Sequence, residues 1–172
     1  GRSDVKSVCG DYPAVISFDL GELELGNAAN LDKVPFDKIR KEIINQYQRG
    51  GMVSLSWHAR NPKTGGDAWD VSDTTVVKSI LPGGENHQKF AGWLGGDGVK
   101  IPVLFRPWHE HSGSWFWWGE KLCTPEEYKA LWHMTVDTLQ AKGVDNALYA
   151  YSPGTEPKDT TEYLKKYPGD EL

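Results

Sequence analysis

Four short apolar runs, separated by stretches of helical pattern, limit what this chain can become. Pro13 to Asp19, Gly51 to His58, Lys100 to Pro107 and Asn146 to Tyr151 each hold a few consecutive aliphatic or aromatic residues. Such runs are shorter than buried helices and are flanked by glycine, proline or polar residues. They read as strands of a sheet covered on both faces.

The stretches between them have helix punctuation. Pro35 to Gln48 places Phe36, Ile39, Ile43, Ile44 and Tyr47 on one face, with Gly50 as a stop. Thr124-Pro125-Glu126-Glu127 supplies a Thr N-cap, a proline in the first position and acids in the first turn. That helix runs to about Lys142, with Leu131, Met134 and Leu139 inward, and Gly143 ends it. A last short helix spans Asp159 to Lys166 and stops at Tyr167-Pro168-Gly169. Strand and helix in alternation imply a parallel α/β fold with right-handed crossovers, in one domain. The connection from His58 to Lys100 differs. Its helical windows, Asp73 to Ile80 and His87 to Leu94, are short, and Gly95-Gly96-Asp97-Gly98 leads straight into the next strand.

Composition narrows the function classes. The net charge of -5 argues against a nucleic-acid partner and against an anionic membrane surface. No stretch reaches the roughly 18 apolar residues of a membrane span. No glycine-rich phosphate loop follows a strand, which disfavours a nucleotide site. Two cysteines, Cys9 and Cys123, leave one disulfide open and offer no zinc spacing.

Polar and aromatic residues gather where the strands end: Asp19 after the first, Trp57-His58 after the second, and Arg106-Pro107-Trp108-His109-Glu110-His111 after the third. In a (β/α)₈ barrel that is where the active site is built, and a doubly wound open sheet is the alternative. Glu110 is the candidate general acid, with Trp108, Trp115 and Trp117 as an apolar wall to raise its pKa. Exposed indoles also stack on sugar rings, while His58, His109 and Arg106 bind hydroxyls. The structural alternative makes Arg106–Glu110 a buried ion pair, the tryptophan run core, and His58 a satisfied core histidine. Eight tryptophans, four of them between positions 108 and 118, are more than a core of this size ordinarily needs. A metal reading places His109 and His111 on one side of an extended segment, with His58 as a third ligand. No His-Glu-x-x-His helix supports it, and no metal or organic cofactor is expected. Glu22 and Glu24 are expected to cap a loop or line its solvent side, and His87 and His133 to be structural or exposed.

The run Phe105-Arg106-Pro107-Trp108-His109-Glu110-His111-Ser112-Gly113-Ser114-Trp115-Phe116-Trp117-Trp118-Gly119 closely resembles the acid/base motif of glycoside hydrolase family 26 β-mannanases. Tyr12 to Asp19, Val53 to His58, Ala147 to Pro153 and Tyr167 to Asp170 resemble, in order, the family's second, third and fifth strands and the segment before its sixth. The resemblance implies a (β/α)₈ TIM barrel that cleaves internal β-1,4-mannosidic bonds with retention. It implies Glu110 as acid/base and His109 beside it. Trp115 becomes a sugar platform, His58 a hydrogen-bonding residue where the cleaved sugar sits, and Trp69 part of a neighbouring subsite. The implied partner is β-mannan or its oligosaccharides, and the implied location is secreted or cell-surface.

The family's nucleophile is a Glu at the end of the seventh strand, and none of Glu156, Glu162, Asp170 or Glu171 matches its motif. The first strand's Gly-His-Gln segment is likewise unmatched. Residues 1–172 are therefore expected to be a partial (β/α)₈ catalytic domain holding roughly strands two to five. The apolar surface that half a barrel leaves open favours a region of a longer enzyme, whose signal peptide would precede Gly1. Two other functions stay open: a β-glucanase or xylanase of the same family, and a non-catalytic mannan-binding module.

Overall fold

A computed structural model of the chain describes residues 3–95 and 100–171. The stretch Gly96-Asp97-Gly98, read above as leading into the third strand, lies outside the described residues. All four expected strands form: β1 (Val15–Asp19), β2 (Met52–Ser56), β3 (Val103–Arg106) and β4 (Ala147–Tyr149). Each is shorter than its apolar run, because residues at the ends, Ile101 and Trp57 among them, are buried without joining the ladder.

The sheet order is β1-β2-β3-β4, and every pair is parallel. An order that never reverses has no topological switch point, so it departs from a doubly wound sheet. Crossovers of the right-handed kind that parallel strands almost always use put the helices of such an order on one face, as in the wall of a barrel. The register aligns Phe18, Leu55, Phe105 and Tyr149 across all four strands. The adjoining row, Asp19, Ser56 and Arg106, points to the opposite face, because side chains alternate along a strand. One step of register therefore separates the helix-covered core from a polar row at the C-terminal edge.

The helices are α1 (Asp4–Cys9), α2 (Phe36–Gln48), α3 (Val76–Ile80), α4 (His87–Trp93), α5 (Pro125–Ala141) and α6 (Thr160–Leu164). Helix α1 was not anticipated; its sequence buries nothing, and only the Ser3 cap and the left-handed Gly10 mark it. Helix α5 has a full capping box, in which the Thr124 hydroxyl accepts from the Glu127 N–H and the Glu127 carboxylate accepts from the Thr124 N–H. The short α3 and α4 bear out the unusual reading of the β2–β3 connection. Pro35 caps α2 from outside rather than starting it.

The expected inner face of α2 needs correction. Ile39 is buried, but Tyr47 is exposed and Gln46 is fully buried in its place. The Gln46 amide donates to the carbonyls of Pro13 (2.9 Å) and Ala14 (3.2 Å) at the entry to β1. Buried carbonyls need donors, and that requirement outweighs burying one more ring. Gly51 leaves the room: a Cβ there would overlap the Gln46 amide.

The core lies between the sheet, α3, α4 and α5, and aromatic rings dominate it. Trp57, Phe90, Trp108, Trp117 and Trp118 contact one another with ring centroids 5.1–6.3 Å apart. The tryptophan run is therefore largely core. Each of these indole N–H groups has an acceptor: Glu24 for Trp57, Thr135 for Trp108, the Ala59 carbonyl for Trp117 and the His109 carbonyl for Trp118.

Candidate active site

The segment after β3 is not extended. Trp108 and Glu110 both adopt left-handed backbone angles, φ 53° and 55°. Such residues each cost about 1–3 kcal/mol and persist only where surroundings hold them. Here the Tyr128 hydroxyl donates to the Trp108 carbonyl (2.7 Å), and the Glu110 N–H donates to the Ser152 carbonyl beyond β4 (2.8 Å). Arg106 donates to the Ser152 hydroxyl (2.9 Å), and Ser112 joins Glu156 (2.6 Å) and the Gly154 N–H (2.7 Å). The loops after β3 and β4 are thus sewn together beneath Glu110. Buried Lys166 adds a further tie through the Gly119 carbonyl and Glu120.

These two kinks turn the Glu110 carboxyl toward Trp115, whose indole N–H donates to it at 3.2 Å. The Trp115 ring lies against Gly113, where any Cβ would collide with it, and stays 40% exposed. Of the three tryptophans expected to wall Glu110, Trp115 alone bonds to it, since Trp108 and Trp117 face the core. Arg106 and Glu110 form no ion pair, because the guanidinium is taken by Ser152.

The end of β2 supplies the other half of the cleft. His58 stacks on Trp69 with centroids 5.1 Å apart, and Trp69 is 47% exposed. The Nδ1 of His58 lies 2.7 Å from the Asp19 carboxylate, and its Nε2 lies 3.2 Å from Nε2 of His109. Phe116 packs edge-on against both imidazoles. Burial, with the nearby positive charge of His58 and Arg106, pushes His109 down to about 4. Burial alone would raise Asp19, but the hydrogen bonds and charge of His58, with the Gly21 N–H and the Ser56 hydroxyl, hold it below its ordinary value. Glu110, Trp115, His109, His58 and Trp69 thus form one contiguous surface above the sheet.

The rival metal reading does not hold here. His109 and His111 do not face one ion. His111 sits between the rings of Tyr128 and Tyr151 (4.3 and 4.9 Å), on different partners from His109. The left-handed kinks on either side of His109 break the alternation that the extended reading assumed. Among the described residues no cluster of three His, Cys, Asp or Glu has metal-binding geometry. Cys9 and Cys123 are unpaired, the first exposed and the second buried. Of the two places expected for Glu24, it takes the loop cap: it accepts from the Arg60 N–H (2.7 Å) and from Trp57, and burial raises its pKa. His87 and His133 bond to the carbonyls of Ile80 and Pro168. An apolar hollow of about 540 Å³ lies on the helix side, lined by Leu20, Leu55, Trp57, Leu94, Phe105 and others, away from Glu110.

Asp19 and Ser152 were not assigned to the site from sequence. Asp19 closes its strand as visibly as His58 closes the next, and the missing information was the register that sets Asp19 beside Ser56.

A parallel sheet in sequential order, with polar side chains and half-exposed tryptophans at the strand ends, defines part of a (β/α)₈ barrel enzyme scaffold. The chain belongs to glycosyl hydrolase family 26, whose model matches residues 2–172. It is 41% identical to a mannan endo-1,4-β-mannosidase of Bifidobacterium adolescentis, over 99% of this chain and 18% of that protein. A mannan endo-1,4-β-mannosidase of Bacillus subtilis is 28% identical over 96% of this chain and 49% of its own length. Among solved structures, a family 26 β-mannanase from Bacteroides ovatus superposes with a TM-score of 0.93 at 62% identity, covering 99% of this chain and 53% of that one. The chain therefore spans about half the length of these relatives, or less.

Proposed function

We propose that the chain is part of the catalytic domain of a retaining endo-β-1,4-mannanase, with Glu110 as general acid/base. The observation that carries this is the placement of the Glu110 carboxyl. It is held at the C-terminal edge of the sheet by a strained, hydrogen-bonded loop, and it touches the half-exposed ring of Trp115. Its neighbourhood suits a polymer of neutral sugars. Trp115 and Trp69 offer flat apolar faces, His58 borders them with its ring nitrogens turned to Asp19 and His109, and the row carries little free charge.

In the first step Glu110 protonates the leaving glycosidic oxygen while a second carboxylate attacks the anomeric carbon. Glu110 then takes a proton from the water that releases the glycosyl group. A retaining mechanism needs that second carboxylate about 5–5.5 Å away, and we assign it to no residue of this chain. Arg106 acts through Ser152, holding the loop that presents Glu110. The substrate is too large to cross a membrane, which supports a secreted or cell-surface enzyme. No helix among the described residues is long and apolar enough to span a membrane.

The test is reducing-sugar release from soluble galactomannan, mixed-linkage glucan and xylan by the protein and by Glu110→Gln. Release from galactomannan that the substitution abolishes supports the proposal. Release from glucan or xylan alone moves the enzyme to another substrate in the family. Binding of mannan without any release, by a protein extended to the full length of its relatives, supports a non-catalytic mannan-binding role.

A further inference from the structure

We propose that Asp19 is a positioning residue: its carboxylate fixes which nitrogen of His58 carries a proton and, through His58, which nitrogen of His109 does. The consequence is a fixed donor–acceptor pattern at the base of the cleft. What that pattern is offered to rests on the mannanase reading; the proton assignment does not.

The geometry leaves few choices. One Asp19 oxygen, Oδ1, accepts from the Gly21 N–H at 2.7 Å. That N–H cannot reverse, so an acceptor must stand there. The approach is close enough to exclude a side chain at Gly21: a Cβ would meet Asp19 Oδ1, Leu31 and the His58 carbonyl. The other oxygen, Oδ2, accepts from the Ser56 hydroxyl (2.8 Å) and faces His58 Nδ1 (2.7 Å). A carboxylate only accepts, so His58 carries its proton on Nδ1. In the neutral imidazole form of His58, with the proton on Nδ1, Nε2 is a bare acceptor. The nitrogen it faces, His109 Nε2, must then be the donor, and His109 Nδ1 is left bare. That Nδ1 is buried without a hydrogen-bond partner, and an unpaired acceptor is the more tolerable kind of orphan.

The argument predicts what an isosteric amide does. In Asp19→Asn the amide oxygen stays with the Gly21 N–H, which puts the NH₂ group against His58 Nδ1. His58 must then accept on Nδ1 and carry its proton on Nε2. That N–H points at His109, whose proton moves to Nδ1. Both tautomers reverse, although the shape of the site is unchanged. A wrong tautomer in an otherwise intact site is a known way for an Asp→Asn change to disable an imidazole.

The experiment is ¹⁵N NMR of histidine imidazoles in the protein, Asp19→Asn and Ser56→Ala, with mannotetraose titrated into each. The chain has five histidines, so the resonances can be assigned by single substitution. The parent is expected to show His58 protonated on Nδ1 and His109 on Nε2. Asp19→Asn is expected to show the reverse and to bind mannotetraose about tenfold more weakly. Ser56→Ala keeps the carboxylate and should keep both tautomers. A parent with His58 protonated on Nε2, or with His109 protonated on Nδ1, overturns the proposal even if the Asn variant fails to fold. So does an Asn variant that keeps the parent tautomers. Reversed tautomers with unchanged mannotetraose binding would uphold the role of Asp19 and count against the sugar-binding role of the pair.

Discussion

Acid should unfold this protein through two buried imidazoles before most of its carboxylates matter. His109 and His111 are 1% and 3% exposed, and burial above all pushes them down to about 4 and about 3. An unfolded histidine titrates near 6.5. Below that pH the unfolded chain gains protons that the folded protein refuses, so stability falls as pH falls. Near pH 5 His109 contributes a slope of about 1.2 kcal/mol per pH unit and His111 about 1.3, together about 2.5. Over their whole windows they are worth roughly 3 and 5 kcal/mol, a large share of the about 5–15 kcal/mol of an ordinary domain. Glu24, raised by burial, works with the opposite sign and reduces the net slope.

The perturbation is His111→Phe, which puts a ring without protons between Tyr128 and Tyr151. Urea unfolding followed by tryptophan fluorescence gives stability at each half unit from pH 7 to 4.5. Whatever the new ring does to packing moves the whole curve. Loss of the imidazole lowers its slope by about 1.3 kcal/mol per pH unit near pH 5. An unchanged slope would refute the reasoning, because His111 would then take up protons equally in both states.

Three further outcomes are expected. Trp117→Ala removes a fully buried indole whose N–H holds the Ala59 carbonyl; it should cost about 3–5 kcal/mol in urea unfolding. Trp69→Ala removes a half-exposed ring that only stacks on His58 and Phe116. It should weaken mannotetraose binding about tenfold by calorimetry while changing stability by less than about 1 kcal/mol. Thr124→Ala breaks the capping box of α5 and should cost about 1 kcal/mol, visible as a lower urea midpoint, with no effect on ligand binding.

The elements legible in advance were those whose signals are local. Helix α5 announces itself by Thr124-Pro125 and ends at Gly143, and the four strands by apolar runs with polar ends. The crossover between β2 and β3 is visibly short because Val76–Ile80 and His87–Trp93 hold so few helical turns. Where a residue's partner is distant in sequence, local pattern misleads. By helical period Tyr47 belongs inside α2, but the carbonyls of Pro13 and Ala14, over thirty positions away, take Gln46 instead. The dense tryptophans look like a ligand wall, yet the left-handed angle at Trp108 and the packing of Phe90 turn most of them into core.

The sequence by itself determined the parallel α/β class, the order of strands and helices, and the concentration of chemistry after β3, since propensity, capping and hydrophobic period act over a few residues. The tertiary structure alone decided which of those residues meet. Asp19 reaches His58, and His58 reaches His109, because parallel register sets the ends of three strands side by side across separations of 39 and 51 positions. Glu110 meets Trp115 while His111 turns away, because two strained backbone angles are held by hydrogen bonds from Tyr128 and to Ser152. Those contacts depend on packing across the whole sheet, and no window of the chain contains them.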